Sequence, residues 1–215
     1  MLANAPVGGV AKEGTMRRMA LLLTAMSAAL VLASGVALAV NKVGTDGPDT
    51  LTGTNGNDNL DGRGGQDNIF SLDGTDNLAG GLGKDNVLGG DERRPGGGDK
   101  NFAGGPGNDL LLTGLGSDNV EGGSGNDSLL EASFGESSTD NYDGGSGNDV
   151  FVASNRPAFK DLVVCGEGLD RVLADSKDKV APDCERVYIG LSDREFFEEK
   201  VPQSFFEGLP PDPFN

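Results

Sequence analysis

Histidine is absent from the 215-residue sequence, and its absence excludes several classes of catalytic and metal site. Imidazole is the base of Ser-His-Asp triads and Cys-His dyads, and it is a common zinc ligand. The sequence also lacks the hydrolase motifs H-E-x-x-H and G-x-S-x-G. These absences predict that the protein is not an enzyme.

Basic residues are scarce as well. The chain has 17 Lys and Arg against 34 Asp and Glu, which gives a formal net charge of −17. Nucleic-acid binding needs a basic face for the phosphates, so this charge balance argues against it and favours cations as partners. Glycine, in contrast, is abundant with 36 residues, well above its usual share of about 7%.

Only one long apolar run is present, and it lies near the N-terminus. It follows two arginines, covers residues 20–32, and precedes a small-x-small sequence that ends at Ala39. This layout is typical of a secretory signal peptide, so residues 1–39 are predicted to be removed near Ala39, with Met16 as an alternative start. A membrane anchor is the other interpretation of the run. The mature chain is expected to be secreted by a bacterium and to have no stable membrane span.

A nine-residue period begins at Gly44 and accounts for most of the glycine. Glycine recurs at the first, second and fourth positions, aspartate at the sixth, and an apolar residue at the eighth. Two stretches, 89–94 and 131–134, interrupt the period. The eleven units are 44–52, 53–61, 62–70, 71–79, 80–88, 95–103, 104–112, 113–121, 122–130, 135–143 and 144–152.

The residue types at these positions suit a divalent cation. Glycine adopts left-handed torsions without steric cost, so the first half of each unit can turn tightly and point several carbonyl oxygens one way. A carboxylate completes an all-oxygen site, and Ca²⁺ takes about six to eight oxygen ligands in flexible geometry. Aspartate is also a common turn former, but a stacked ladder of carboxylates would repel itself without a cation.

The pattern resembles the hemolysin-type calcium-binding repeat, the RTX nonapeptide G-G-x-G-x-D-x-U-x. Units 104–112, 122–130 and 144–152 match every specified position. The resemblance implies an all-β fold, a parallel β-roll (β-solenoid) with two nonapeptides per turn, over residues 40–152. It also implies that several Ca²⁺ ions are bound.

The eighth residue of each unit is expected to point into the roll. Alternate side chains of a strand face opposite ways, so the seventh and ninth residues then face out. One apolar side chain per nine residues is a thin core, which is buried only when turns stack on one another. The expected inward residues are Leu51, Leu60, Ile69, Leu78, Val87, Phe102, Leu111, Val120, Leu129, Tyr142 and Phe151.

The resemblance implies that calcium lies between stacked turns, because units n and n+2 lie above each other in the family fold. Aspartates of stacked units, such as Asp49 and Asp67, would then share an ion with backbone carbonyls. The implied metal ligands are Asp49, Asp58, Asp67, Asp76, Asp85, Asp109, Asp118, Asp127, Asp140 and Asp149.

One unit departs from the motif at the ligand position. Lys100 stands where the other units have aspartate. Its ammonium group is expected to act as a fixed cation that removes or weakens the adjoining calcium sites. The charged stretch 89–94 just before this unit is expected to be a surface loop without a site.

Beyond the array the pattern fades. Residues 153–189 are interpreted as degenerate turns and a C-terminal cap, in which Asp170 could still bind calcium. Cys165 and Cys184 lie close in an exported chain, which favours a disulfide, while a pair of free thiols stays an alternative. Residues 190–215 are predicted to form a short capping helix and an irregular tail.

The sequence therefore predicts a secreted calcium-binding protein whose roll folds when Ca²⁺ binds. Without calcium, a chain with few apolar residues and so much like charge is not expected to fold. Two alternatives stay open: a calcium-dependent adhesion or structural protein of the cell surface, and a non-catalytic remnant of an exported hydrolase. The ninth-position residues are mixed, and the sequence indicates no particular protein or cell-wall partner.

Overall fold

The computed structural model describes residues 38–90, 98, 100–131, 138–155 and 158–191. Within these ranges the chain is all β, and no helix is long and apolar enough to cross a membrane. The strands are β1 (Asn41–Val43), β2 (Thr50–Thr52), β3 (Asn59–Asp61), β4 (Gly64–Gly65), β5 (Asn68–Phe70), β6 (Asn77–Ala79), β7 (Leu82–Gly83), β8 (Asn86–Leu88), β9 (Asn101–Pro106), β10 (Leu110–Thr113), β11 (Asn119–Ser124), β12 (Ser128–Glu131), β13 (Asn141–Ser146), β14 (Val150–Val152), β15 (Leu162–Val164), β16 (Arg171–Ala174), β17 (Lys179–Val180) and β18 (Arg186–Ile189).

Two parallel sheets of eight strands enclose the core and confirm the predicted β-roll. Sheet A has the order β1-β3-β6-β9-β11-β13-β15-β17, and sheet B has the order β18-β16-β14-β12-β10-β8-β5-β2. A third, two-stranded sheet joins β4 and β7. The chain passes from one sheet to the other through a short turn and returns through the next, so two nonapeptides complete each turn of the solenoid.

The register of the sheets follows the nine-residue period. Leu60 lies opposite Leu78 in parallel pairing, a separation of 18 residues, as expected for units n and n+2. Residues of the same repeat position still face each other where the period is interrupted, as Leu78 faces Phe102 and Val120 faces Tyr142. Repeat position therefore determines the pairing, and the extra residues are accommodated elsewhere.

The core consists of the eighth residues of the units, as predicted. All but one of the expected inward side chains are at most 3% exposed. Leu51, in the first turn, is the exception and is half-buried against the same cluster. Val163 and Val172 extend the row into the region without regular repeats, because β15 and β16 continue the pairing of both sheets.

The first interruption of the period begins with two residues that stack on the preceding turn, and the predicted surface loop stays a prediction for residues 91–94. Gly90 has a φ of +119° and packs against the carbonyl oxygen of Leu72 in the preceding turn. Gly98 packs in the same way on Gly74, the fourth residue of that turn. Gly89 and Gly90 are therefore the first two residues of a long turn, whose residues 91–94 lie outside the described part.

The second interruption has the same character. Glu131 is the last residue of β12 and pairs with Thr113, the first residue of its unit. Glu131 thus begins the next turn, and the four extra residues fall between it and Asp140. Residues 132–134 lie outside the described part of the chain.

The outer face of sheet A carries a ladder of asparagines at the seventh position. The side-chain Nδ2 of Asn77 donates to Oδ1 of Asn59 at 2.8 Å, and Asn101 donates to Asn77 at 2.9 Å. Asn119 and Asn141 continue the ladder at 3.2 and 3.0 Å. The prediction that seventh residues face out of the roll holds along this face.

The outer face of sheet B differs near the C-terminal end, where side chains that face out of the roll are nevertheless buried. Their residue types are apolar, unlike the asparagines of the earlier units, so they form a second hydrophobic cluster. Its fully buried members are Val150, Val152 and Leu173, with Leu130, Tyr188 and Leu191 packed against them.

A disulfide joins Cys165 to Cys184, as predicted, with the two Cα atoms 5.2 Å apart. Cys165 is fully buried in the core at the start of a turn, and Cys184 packs against that core. Closing a loop of about 20 residues contributes about 3 kcal/mol on the chain-entropy model. The bond therefore holds the last turns of the solenoid, where stacking neighbours run out. The predicted signal peptide and capping helix lie outside the described residues, apart from their inner ends.

Candidate metal centre

The sixth residues of the units form two rows, one along each edge where the chain crosses between the sheets. The first row lies in the turns from sheet A to sheet B: Asp49, Asp67, Asp85, Asp109, Asp127, Asp149 and Asp170. The second row lies in the turns from sheet B to sheet A: Asp58, Asp76, Lys100, Asp118, Asp140, Asp161 and Asp178. All of these residues are buried except the terminal Asp49 and Asp178, which are half-buried.

Beyond the first described turn, each carboxylate is oriented by a main-chain donor from the preceding turn, whereas Asp49 accepts the amide N–H of Thr45 in its own turn. The amide N–H of Asp85 donates to Oδ1 of Asp109 at 2.8 Å, and the amides of Asp109 and Asp127 donate in the same way to Asp127 and Asp149. The same bond, also 2.8 Å, joins the Asp118 amide to Asp140 in the second row. Oδ1 is thus used by the backbone, and Oδ2 is turned towards the start of the turn.

Along the first row these second oxygens have no hydrogen-bond partner. An unsatisfied buried carboxylate oxygen is costly, and a regular series of them calls for a ligand. The first-row oxygens concerned are Oδ2 of Asp67, Asp85, Asp109, Asp127, Asp149 and Asp170, and in the second row Oδ2 of Asp76 and Asp118 is buried in the same way.

The first glycine of each first-row turn leaves open the space that these oxygens face. A Cβ atom on Gly104 would lie 2.6 Å from Oδ2 of Asp109 and 2.5 Å from the carbonyl oxygen of Gly122 in the next turn. On Gly122 it would lie 2.7 Å from Oδ2 of Asp127 and 2.6 Å from the carbonyl oxygen of Gly144. A carboxylate oxygen of one turn and a carbonyl oxygen of the next therefore converge on the same opening.

This donor set fits calcium. Converging oxygens from carboxylates and main-chain carbonyls are the ligands that Ca²⁺ prefers, whereas thiolates and imidazoles are absent from these turns. Among the described residues no three Asp, Glu, Cys or His side chains cluster as metal ligands. This agrees with a site in which each turn contributes one carboxylate and the backbone contributes the other oxygens.

The electrostatics of the row also call for a cation. Burial raises the pKa of Asp109 and Asp149 to about 7 and the pKa of Asp127 to about 8, and neighbouring carboxylates add to the rise. The amide hydrogen bonds to these carboxylates offset only part of this rise in pKa. At neutral pH without metal, these groups therefore hold a substantial share of protons that a divalent cation would displace.

The structure brings together the stacked aspartates that the sequence predicts as pairs. It also extends both rows beyond the ten predicted ligands, because Asp170 continues the first row and Asp161 and Asp178 continue the second. Each of these three is followed two residues later by valine, the same spacing as aspartate and the inward residue in the regular units. That spacing is the signal that could have identified Asp161 and Asp178.

Comparison with known proteins agrees with this geometry. Residues 43–78, 96–129 and 134–153 match the family model of the RTX calcium-binding nonapeptide repeat. No curated protein and no solved structure matches the chain.

Proposed function

Since residues 43–153 carry repeats of the RTX calcium-binding nonapeptide family, we propose that this protein is a secreted calcium-binding protein whose β-roll folds when Ca²⁺ binds. Asp49, Asp58, Asp67, Asp76, Asp85, Asp109, Asp118, Asp127, Asp140 and Asp149 are the candidate ligands taken from the sequence. The proposed activity is binding, and no catalytic role is assigned.

The regular series of unpartnered carboxylate oxygens along the first row carries this proposal. Each oxygen is buried, and all except that of Asp170, whose turn begins with Cys165, face an opening that glycine leaves free. A bound cation would satisfy the oxygen and screen it from the carboxylate of the next turn. Nothing else among the described neighbours of these oxygens supplies a positive charge at every turn.

Coupling of binding to folding follows from the thin core and the cost of the carboxylate rows. Ions that bind only the folded roll stabilise it by an amount that grows with their free concentration. Extracellular calcium modules bind at about 10⁻⁴–10⁻³ M, far above the free calcium of a cell interior. Affinity in this range would keep the chain unfolded before export and fold it outside.

Circular dichroism of the exported protein tests the proposal. In calcium-depleted buffer we expect the spectrum of an unfolded chain, and millimolar Ca²⁺ should produce a β spectrum. Equal Mg²⁺ is the control and should have little effect, because Mg²⁺ demands octahedral geometry and retains its waters. A β spectrum that persists after calcium removal would contradict the coupling, and no bound calcium in equilibrium dialysis would contradict the function.

Calcium-dependent adhesion to a cell surface is a second candidate, and the outer face of sheet A favours it. The asparagine ladder lines a groove that runs over β3, β6, β9, β11, β13 and β15. Amides that already bond to each other retain one further donor and acceptor for an extended ligand. We expect purified cell walls to retain the protein in calcium and release it in EDTA. Equal recovery under both conditions, or none, would count against adhesion.

A further inference from the structure

The two rows differ at the first position of their turns, where the calcium opening lies. In the first row this position is glycine in every turn until Cys165: Gly44, Gly62, Gly80, Gly104, Gly122 and Gly144. In the second row most turns begin with a residue that has a side chain: Ser71, Thr113, Glu131, Ala153 and Ala174, against Gly53 and Gly89. A Cβ atom at this position occupies the space between the carboxylate and the carbonyl of the next turn.

Protein donors also take the second carboxylate oxygen in the later turns of the second row. The hydroxyl of Tyr142 donates to Oδ2 of Asp140 at 3.3 Å. The amide Nδ2 of Asn155 donates to Oδ2 of Asp161 at 3.1 Å. In these two turns side chains therefore satisfy the oxygen that has no partner in the first row. Oδ2 of Asp76 and of Asp118, the aspartates on either side of Lys100 in the second row, is buried without such a hydrogen bond.

Lys100 places a positive charge inside the second row. Its side chain is 1% exposed, its amide donates to Oδ1 of Asp118 at 2.8 Å, and its Nζ donates to the carbonyl oxygen of Gly98 at 3.2 Å. Burial raises the pKa of Asp76 in the preceding turn, and the Lys100 charge opposes that rise. The Lys100 ammonium group thus donates to a turn carbonyl and offsets the charge of a neighbouring carboxylate. A bound cation would have the same two effects on these turns.

Turn length separates the rows in the same way. Counted from the first to the sixth position, every first-row turn has six residues: 44–49, 62–67, 80–85, 104–109, 122–127, 144–149 and 165–170. The second-row turns vary from five to twelve residues: 53–58, 71–76, 89–100, 113–118, 131–140, 153–161 and 174–178. Stacked sites of one kind require turns of one length. The first row has it in every turn, and the second row has it only in 53–58, 71–76 and 113–118.

From these four differences we infer that calcium binds along the first row only, from Asp49 to Asp149, and that the second row is held together without metal. The inference rests on the proposed calcium function and narrows it to one edge of the roll. It also changes the ligand set. Asp58, Asp76, Asp118 and Asp140 become structural, and Asp170 is not added to the ligands because its turn begins with Cys165.

A matched pair of substitutions tests the inference, Asp127→Asn in the first row and Asp118→Asn in the second. Both carboxylates are fully buried, and each accepts an amide N–H at 2.8 Å that the asparagine oxygen can still accept. The measurements are bound Ca²⁺ per chain by equilibrium dialysis and the calcium midpoint of the circular dichroism change. We expect Asp127→Asn to bind fewer ions with a midpoint at least several-fold higher, and Asp118→Asn to bind as many ions as the unmodified protein.

Loss of bound calcium in Asp118→Asn would overturn the inference, as would an unchanged count in Asp127→Asn. If Asp127→Asn does not fold even in excess calcium, the first-row variant Asp85→Asn takes its place and must bind fewer ions, while Asp118→Asn must keep the full count. A calcium count of zero in the unmodified protein would instead refute the proposed function, so the two failures are distinguishable.

Discussion

Replacing Gly125 with alanine is expected to prevent the roll from folding at any calcium concentration. Gly125 is the fourth residue of its turn and has a φ of +128°. A Cβ atom there would overlap the carbonyl oxygen of Gly107 in the preceding turn and lie 2.5 Å from the carbonyl carbon. The conflict is between backbone and backbone, so no rotamer relieves it. Left-handed torsions alone cost an alanine about 1–2 kcal/mol. The loss of folding free energy exceeds this amount, because the turns themselves must separate.

Gly47→Ala is the matched control. Gly47 is the fourth residue of the first described turn, with no turn of the described residues beneath it, and its Cβ would have only Oγ1 of Thr45 nearby, at 3.9 Å. We expect this variant to fold in calcium like the unmodified protein. Circular dichroism in excess calcium and urea midpoints compare the two. Equal midpoints for Gly125→Ala and Gly47→Ala would show that close stacking at the fourth position is not what requires glycine.

The period of nine predicted the inward core positions, whereas the two-sheet roll and the pairing of units n and n+2 were implied by the resemblance to the RTX repeat. Inward residues such as Leu111 and Val120 follow from repeat position alone, because each turn repeats the same strand pairing. The place of the extra residues could not be predicted in this way. In the sequence Gly89 and Gly90 fall in the interruption 89–94, and only their stacking on the turn below shows that they begin the next turn.

The sequence alignment did not reveal that the two rows differ at the first position of their turns, for a related reason. A linear alignment treats neighbouring units as equivalent, whereas the fold sends alternate units to opposite edges. Thr113 and Glu131 then read as scattered departures from the motif, although both lie at the same position of the same row. Two further departures, Arg63 and Leu72, adopt φ values of 70° and 72° where later turns have glycine. The backbone there keeps its shape at a cost of about 1–2 kcal/mol each.

Without calcium, the roll is expected to gain stability as the pH falls from about 8 towards about 4. Burial raises the pKa of Asp127 to about 8 and the pKa of Asp109 to about 7. The pKa of an aspartate carboxyl in an unfolded chain is about 3.9. Between these values the folded roll binds more protons than the unfolded chain, so the free energy of unfolding decreases as the pH rises. The stabilisation by these bound protons is complete below the pKa of the unfolded chain. It is lost as the pH rises through the higher pKa values of the folded roll.

Saturating calcium should reverse the direction of this pH dependence, because Ca²⁺ needs ionised carboxylates and protons then compete with it. Circular dichroism at pH 5 and pH 8, in calcium-depleted buffer and in excess Ca²⁺, measures both directions on one protein. The β signal should be larger at pH 5 without calcium, and the calcium midpoint should be lower at pH 8. Asp127→Asn removes one of the titrating groups and should reduce the proton-driven gain. A metal-free signal that is smaller at pH 5 than at pH 8 would show that desolvated carboxylates are not what destabilises the empty roll.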